Sequence, residues 1–206
     1  KIRRIKKTAE QLAKLCNIPT EEQVVIQRAA AICKFDLVTL MVDEFPELQG
    51  VMGMDYAHKA GESDAVAQAI YEHYRPRHSG DGSPESLAGA IVSIADKIDT
   101  IVGCFAIGII PTGSQDPYAL RRQAAAIVQI LLDHKLPILL DELFALAIQV
   151  YNETQPQVIK QADDVKRELG EFFALRVKHV LSLDARYDVV DAVMASGFAD
   201  VAATVR

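Results

Sequence analysis

Apolar residues recur along this chain at three- and four-residue spacing, and no stretch alternates in the manner of a strand. Ile2, Ile5, Leu12 and Leu15, with Lys and Arg between them, predict an amphipathic helix at the start. Asn17-Ile18-Pro19-Thr20 interrupts it, and Thr20 is placed to cap a second, more apolar helix over about 22–43. Glu44-Phe45-Pro46 through Gly53 is a turn-rich connection anchored by Phe45 and Leu48. Residues 50–60 suit a short helix, and Ser63 is a natural cap for another over about 64–74. Arg-Pro-Arg-His-Ser-Gly-Asp-Gly-Ser, residues 75–83, is the clearest loop, and it is expected to be exposed.

Pro84 stands at the head of the next helix, whose stripe of Leu87, Ile91, Ile94, Ile98, Ile101 and Phe105 is unusually regular. Its other face carries Gly89, Val92, Ser93, Asp96, Thr100 and Gly103, small enough to admit a second close neighbour, so this helix is expected to be buried on two sides and central. After a loop holding Pro111-Thr112-Gly113, Asp116-Pro117 reads as a cap followed by a first-turn proline, opening a helix to about Leu132. Pro137 separates that from a helix over about 138–152, residues 153–157 form a polar break, and helices over about 158–182 and 187–195 follow. The pattern predicts an all-α fold: a bundle over 1–152, then a helical extension, with one long helix, over 153–206.

Composition agrees with helices packed on helices. Half of the 206 residues are hydrophobic, aromatics are 6% and Trp is absent, so the core falls to Leu, Ile, Val and Ala. A net charge of -6 argues against a dedicated nucleic-acid module but permits a local basic patch. Cys16, Cys33 and Cys104 are odd in number and contain no CxxC pair, which reads as small core side chains in a reducing compartment, the cytoplasm. No apolar run reaches the roughly 18 residues of a membrane span and no signal-peptide pattern is present. Opening at Lys1 in helix-like sequence, the chain reads as a segment of a longer polypeptide.

The chemistry on offer is sparse. His58, His73, His78, His134 and His179 form no zinc-protease motif, and neither a P-loop nor a Gly-x-Ser-x-Gly elbow occurs. Asp36, His73 and Asp96 come from three predicted helices and form a conceivable set of ligands for a divalent ion. A hydrogen-bonded Asp–His pair is the commoner use of such residues. Candidate phosphate-binding cations are Arg75 and Arg77 in the loop, Lys97 beside Asp96, and Arg121 and Arg122 at a helix start. The basic face of the first helix is a further possibility. Against this, 28 acidic residues supply enough partners to pair with them all.

Several strings resemble the beta subunit of the two-subunit, bacterial-type glycyl-tRNA synthetase. They are Asp36-Leu37-Val38-Thr39 with Met41-Val42 and Glu44-Phe45-Pro46-Glu47-Leu48-Gln49-Gly50-Val51-Met52-Gly53; Glu72-His73-Tyr74-Arg75-Pro76-Arg77; Ala95-Asp96-Lys97-Ile98-Asp99-Thr100 with Gly103; Pro111-Thr112-Gly113-Ser114 with Asp116-Pro117 and Ala119-Leu120-Arg121-Arg122; and Tyr187-Asp188-Val189-Val190-Asp191-Ala192-Val193. The resemblance implies an HD-domain-like helical bundle, named for metal-dependent phosphohydrolases, in which the His-Asp pair has become Phe35-Asp36 and the early His is missing. With Phe35, Asp36, His73 and Asp96 at the related positions, it implies a vestigial site that holds no metal. It further implies ATP-dependent attachment of glycine to tRNA(Gly) by the complete enzyme, which uses ATP with magnesium and has its adenylate-forming site in the alpha subunit, with no cofactor or catalytic residue in this chain. The partners would be tRNA(Gly), the alpha subunit and the rest of the beta subunit. An RNA role for Arg75, Arg77, Lys97, Arg121 and Arg122 is an inference from the residues. Met54-Asp55 and Gln115 depart from the family pattern, and both departures remove positive charge. An active phosphohydrolase and a purely structural spacer are the alternatives.

Overall fold

The computed structural model describes residues 1–78, 80–155, 160–197 and 200–201, and among these every regular element is helical. The α-helices are α1 (Ile2–Leu15), α2 (Thr20–Ile32), α3 (Leu40–Glu44), α4 (Val51–Lys59), α5 (Asp64–Glu72), α6 (Leu87–Ala106), α7 (Leu120–Asp133), α8 (Leu140–Thr154), α9 (Ala162–Asp184) and α10 (Tyr187–Ser196). Single 3₁₀ turns lie at Phe35–Val38 and Pro46–Leu48. The all-α expectation therefore holds.

By compactness the chain divides into two units, Lys1–Asp96 and Lys97–Arg206. The polar break expected over 153–157 lies partly outside the described residues. In the first unit α2 packs on α1 and α5, and α5 on α4. In the second, α9 packs on α7, α8 and α10. The rings of Phe144 and Phe173 meet at 4.9 Å and those of Phe105 and Phe172 at 5.1 Å, so α9 shares an aromatic core with α6 and α8.

Of the predicted stripe of α6, Ile91, Ile94, Ile98, Ile101 and Phe105 are fully buried, and Leu87 at its head is half-buried. Burial extends further than expected, since every residue from 88 to 99 is buried, as in a helix enclosed on all sides. The small residues admit side chains. A Cβ on Gly89 would meet Glu72, and one on Gly103 would meet the Tyr151 ring at 3.1 Å.

The helix expected over 22–43 is broken. After Ile32 the backbone tightens, and the Asp36 carbonyl accepts both the Thr39 N–H (3.0 Å) and the Thr39 hydroxyl (2.7 Å). Thr39 Oγ1 in turn accepts from Val42 N, restarting the chain as α3. Local bonds of this kind compete with the α-helical ladder. Thr20 does not cap α2; it is the first helical residue, after Pro19. Nor does Pro117 open α7, which starts at Leu120 behind Ala119 in left-handed backbone. Ser63 does cap α5, accepting from Val66 N.

Gly50 fixes the turn before α4. Its φ is +83°, and an added Cβ would stand 2.7 Å from Cδ2 of Tyr74. Strained backbone and overpacking each cost about 1–3 kcal/mol. Gly50→Ala should therefore lower unfolding stability in urea by about 2 kcal/mol or more, whereas Gly82→Ala, at an open loop position, should change it by less than about 0.5 kcal/mol.

Candidate functional site

Asp96 is the most constrained ionisable group of the first unit. It is carried by α6 and is 8% exposed. Lys34, just beyond α2, places its Nζ 2.7 Å from Asp96 Oδ2, and Lys1 Nζ lies 2.9 Å from Oδ1. Burial alone would raise the Asp96 carboxyl. The ammonium groups of Lys34 and Lys1, with His73 behind them, outweigh it and hold the group well below the usual carboxylate range. Lys34 also sits 3.9 Å above the centre of the Tyr74 ring, and that ring lies 3.8 Å from the His73 ring, tilted by 44° to it.

Tyr74 leads onward to the Gly50 turn. Gly50 N donates to Asp36 Oδ2 at 2.7 Å, and Asp36 is fully buried. Gly53 leaves room for that carboxylate: a Cβ there would lie 3.1 Å from Oδ2 and 2.8 Å from Ile70. His73 is also fully buried, its Nδ1 2.5 Å from the Ile70 carbonyl. Burial pushes the Tyr74 phenol far above its ordinary value, and the nearby Asp36 carboxylate pushes it the same way.

These residues do not fit a metal ion. Phe35 offers a ring to Tyr56 at 6.5 Å, Asp36 accepts from backbone, and Asp96 is matched by two ammonium groups. Among the described residues no three His, Cys, Asp or Glu side chains converge as a metal site. The sequence reading missed a further buried acid, Glu72, which accepts from Ser86 N (2.9 Å), Ser86 Oγ (2.5 Å) and Gln68 Nε2 (2.8 Å). Burial would raise Glu72 too, but these donors bring it below its ordinary value. Its place in the sequence, next to His73 and directly before a loop, was the available signal.

The five candidate cations meet different fates. Arg75 and Arg77 are half-buried rather than exposed, because the loop folds back on aromatic rings. Arg75 lies over Tyr71 at 5.3 Å and pairs with Glu85 at 3.6 Å. Arg77 lies over Tyr71 and Tyr74 and donates to the Gln49 carbonyl at 2.9 Å. Lys97 is 6% exposed, because α6 is enclosed there, and so is not a surface cation. Arg121 is half-buried and Arg122 exposed, at the start of α7. The helix end itself is taken by Asp116, whose two carboxylate oxygens accept Leu120 N (2.7 Å) and Arg121 N (3.0 Å). The structure thus leaves Arg121 and Arg122 as the most available cations of the five. Arg176 on α9, which the sequence reading overlooked, is half-buried, lies over the Phe172 ring and donates to the Phe172 carbonyl.

One apolar stretch is left uncovered. Val38 is 90% and Leu40 81% exposed, and Leu37, Met41 and Phe45 are also exposed, bordered by Asp43, Glu44 and Glu47. Among the described residues no helix is long and apolar enough to cross a membrane.

Comparison with known proteins is consistent along the whole chain. A family model described as the glycyl-tRNA synthetase beta subunit matches residues 1–195. The glycine–tRNA ligase beta subunit of Halalkalibacterium halodurans is 54% identical over 202 residues, which are 98% of this chain and 29% of that protein. Its counterpart in Bacillus subtilis is 47% identical over 197 residues, 95% of this chain and 27% of that protein. In Moorella thermoacetica the figures are 45% over 204 residues, 98% and 29%. The chain therefore spans less than a third of the length of these relatives.

The depressed Asp96 carboxyl sets a pH dependence. A carboxyl held lower in the folded than in the unfolded state stabilises the fold above its unfolded value of about 4, and that contribution is lost as pH falls. Asp96→Asn should be less stable than the parent by about 3 kcal/mol at neutral pH, as when one partner of a buried pair is removed. In urea titrations at stepped pH the gap should shrink steadily below about pH 4. A gap that is constant or widens in acid would contradict the assignment.

Proposed function

This chain belongs to the glycyl-tRNA synthetase beta-subunit family, and on that premise we propose that it is a tRNA-facing support module of an ATP-dependent ligase that joins glycine to tRNA(Gly). In this reading ATP and magnesium are handled by an alpha subunit, and this chain supplies no cofactor and no reacting group. It works in the cytoplasm with tRNA(Gly), the alpha subunit and the remainder of the beta subunit as partners. The bundle is a relative of the His-Asp phosphohydrolase fold whose site has turned structural. Support for that comes from Asp96, whose charge is matched by Lys34 and Lys1, and from Phe35, whose ring faces Tyr56.

The observation that carries the RNA-facing part is the state of Arg121 and Arg122. On a chain of net charge -6, neither guanidinium is paired with a carboxylate among the described residues. Phosphate groups of a nucleic-acid backbone are the natural complement to such cations, while Arg75 and Arg77 are better described as fastenings of their own loop. A purely structural spacer is the second reading, favoured by the exposed apolar stretch at 37–45, which another protein surface would cover.

Charge reversal separates the two. Arg121→Glu with Arg122→Glu, placed in the complete ligase, should weaken tRNA(Gly) binding at least about tenfold at low salt and reduce the salt dependence by about one phosphate contact per lost cation. Unchanged tRNA affinity, in a variant with unchanged thermal stability, would leave the spacer as the function.

A further inference from the structure

Residues 37–45 turn large apolar side chains outward on a backbone that is held from within. Val38 and Leu40 are almost wholly exposed, with Leu37 and Met41 beside them and Phe45 just beyond α3. The segment is fastened at several points. Thr39 Oγ1 donates to the Asp36 carbonyl at 2.7 Å and accepts from Val42 N, and Val42 is buried. The buried Asp36 carboxylate in turn accepts Gly50 N at 2.7 Å. The exposure therefore belongs to a formed surface and not to a frayed end. A contiguous apolar patch of this kind, rimmed by polar groups, is a mark of an interaction site.

The rim has one sign. Asp43, Glu44 and Glu47 are all exposed, and among the described residues none of them forms an ion pair. Three carboxylates oppose the approach of an RNA backbone or an anionic lipid surface. They also oppose a second copy of this chain, because a two-fold contact would set the same carboxylates against one another. The complementary surface is a protein face with apolar side chains at its centre and Lys or Arg around them.

The extent of the patch indicates where that face comes from. A stable contact between separate chains draws on roughly 20–30 residues a side, and residues 37–45 supply nine. A contact within one polypeptide needs less, since a linker holds the partner at roughly millimolar effective concentration. Most of such a polypeptide lies outside these residues, for this chain covers only 29% of the Halalkalibacterium halodurans relative. We propose that residues 37–45 seat a cation-rimmed apolar surface belonging to the same beta-subunit polypeptide, outside residues 1–206. The contact is independent of the RNA-facing reading, which concerns Arg121 and Arg122, and either can fail without the other.

The test is thiol labelling of Val38→Cys, with Gly82→Cys at an open loop position as reference. Both are measured in the full-length beta subunit alone and in the complete ligase, and each modified peptide is quantified by mass spectrometry. In the beta subunit alone the thiol at position 38 should react at least about tenfold more slowly than the reference. Reversal of the rim, Asp43→Lys with Glu44→Lys and Glu47→Lys, should bring its rate to within about twofold of the reference while urea stability is kept. Labelling that slows only when the alpha subunit is bound would assign the partner to that subunit and overturn the proposal. Slowing that grows with protein concentration would assign it to a second copy and overturn it too. Labelling as fast as the reference in both preparations would leave the stretch uncovered. Slow labelling that survives rim reversal would overturn the cation-rimmed chemistry.

Discussion

A carboxylate enclosed in a helical bundle is tolerated only if a cation is enclosed with it, and Asp96 imposes that condition on the first unit. Lys34 meets it from the end of α2, which requires the chain to leave α-helical geometry at that point and not run on to residue 43. The same ammonium group stacks on Tyr74, and the Tyr74 ring occupies the space that a side chain at Gly50 would need. Gly50 in turn donates its N–H to buried Asp36, and Arg77 closes the turn through the Gln49 carbonyl. A single charge-matching requirement thus connects α6, the end of α2, the Tyr74–Arg77 loop and the start of α4. Buried ion pairs add little net stability relative to well-packed apolar groups, and the consequence of this one is placement: it specifies which segments meet.

The second unit also pairs cations with its own carboxylates, Lys160 with Glu168, Arg167 with Asp164 and Glu171, and Lys178 with Asp191. Its Asp116 accepts the N–H groups of Leu120 and Arg121 at the start of α7, and among the described residues Arg121 and Arg122 form no ion pair. Within the first unit the buried acids are answered locally, Asp36 by the N–H of Gly50 and Asp96 by Lys34 and Lys1.

Much of this was legible in the sequence because burial in a helix leaves a periodic trace. The stripe from Ile91 to Phe105 predicted α6 and its burial, and Ser63 predicted the start of α5. The break after Ile32 was not legible, since Phe35, Leu37 and Val38 continue an apolar pattern and the deciding bonds, from Thr39 to Asp36 and from Gly50 to Asp36, depend on residues meeting in space. The cations were legible as charges but not as sites. Lys97 and Arg122 look alike in sequence, yet one is enclosed and the other exposed, and whether an arginine finds a ring, a carboxylate or neither is settled only by tertiary packing.

The most direct test of the claim that Lys34, and not a bound ion, answers the Asp96 charge is a double-mutant cycle. Unfolding free energies of the parent, Lys34→Met, Asp96→Asn and the double variant are compared at pH 7. A coupling energy of about 2 kcal/mol or more, unaffected by added manganese or magnesium, is the predicted result for a buried, mutually dependent pair. A coupling below about 0.5 kcal/mol, or one that appears only when divalent metal is removed, would contradict it.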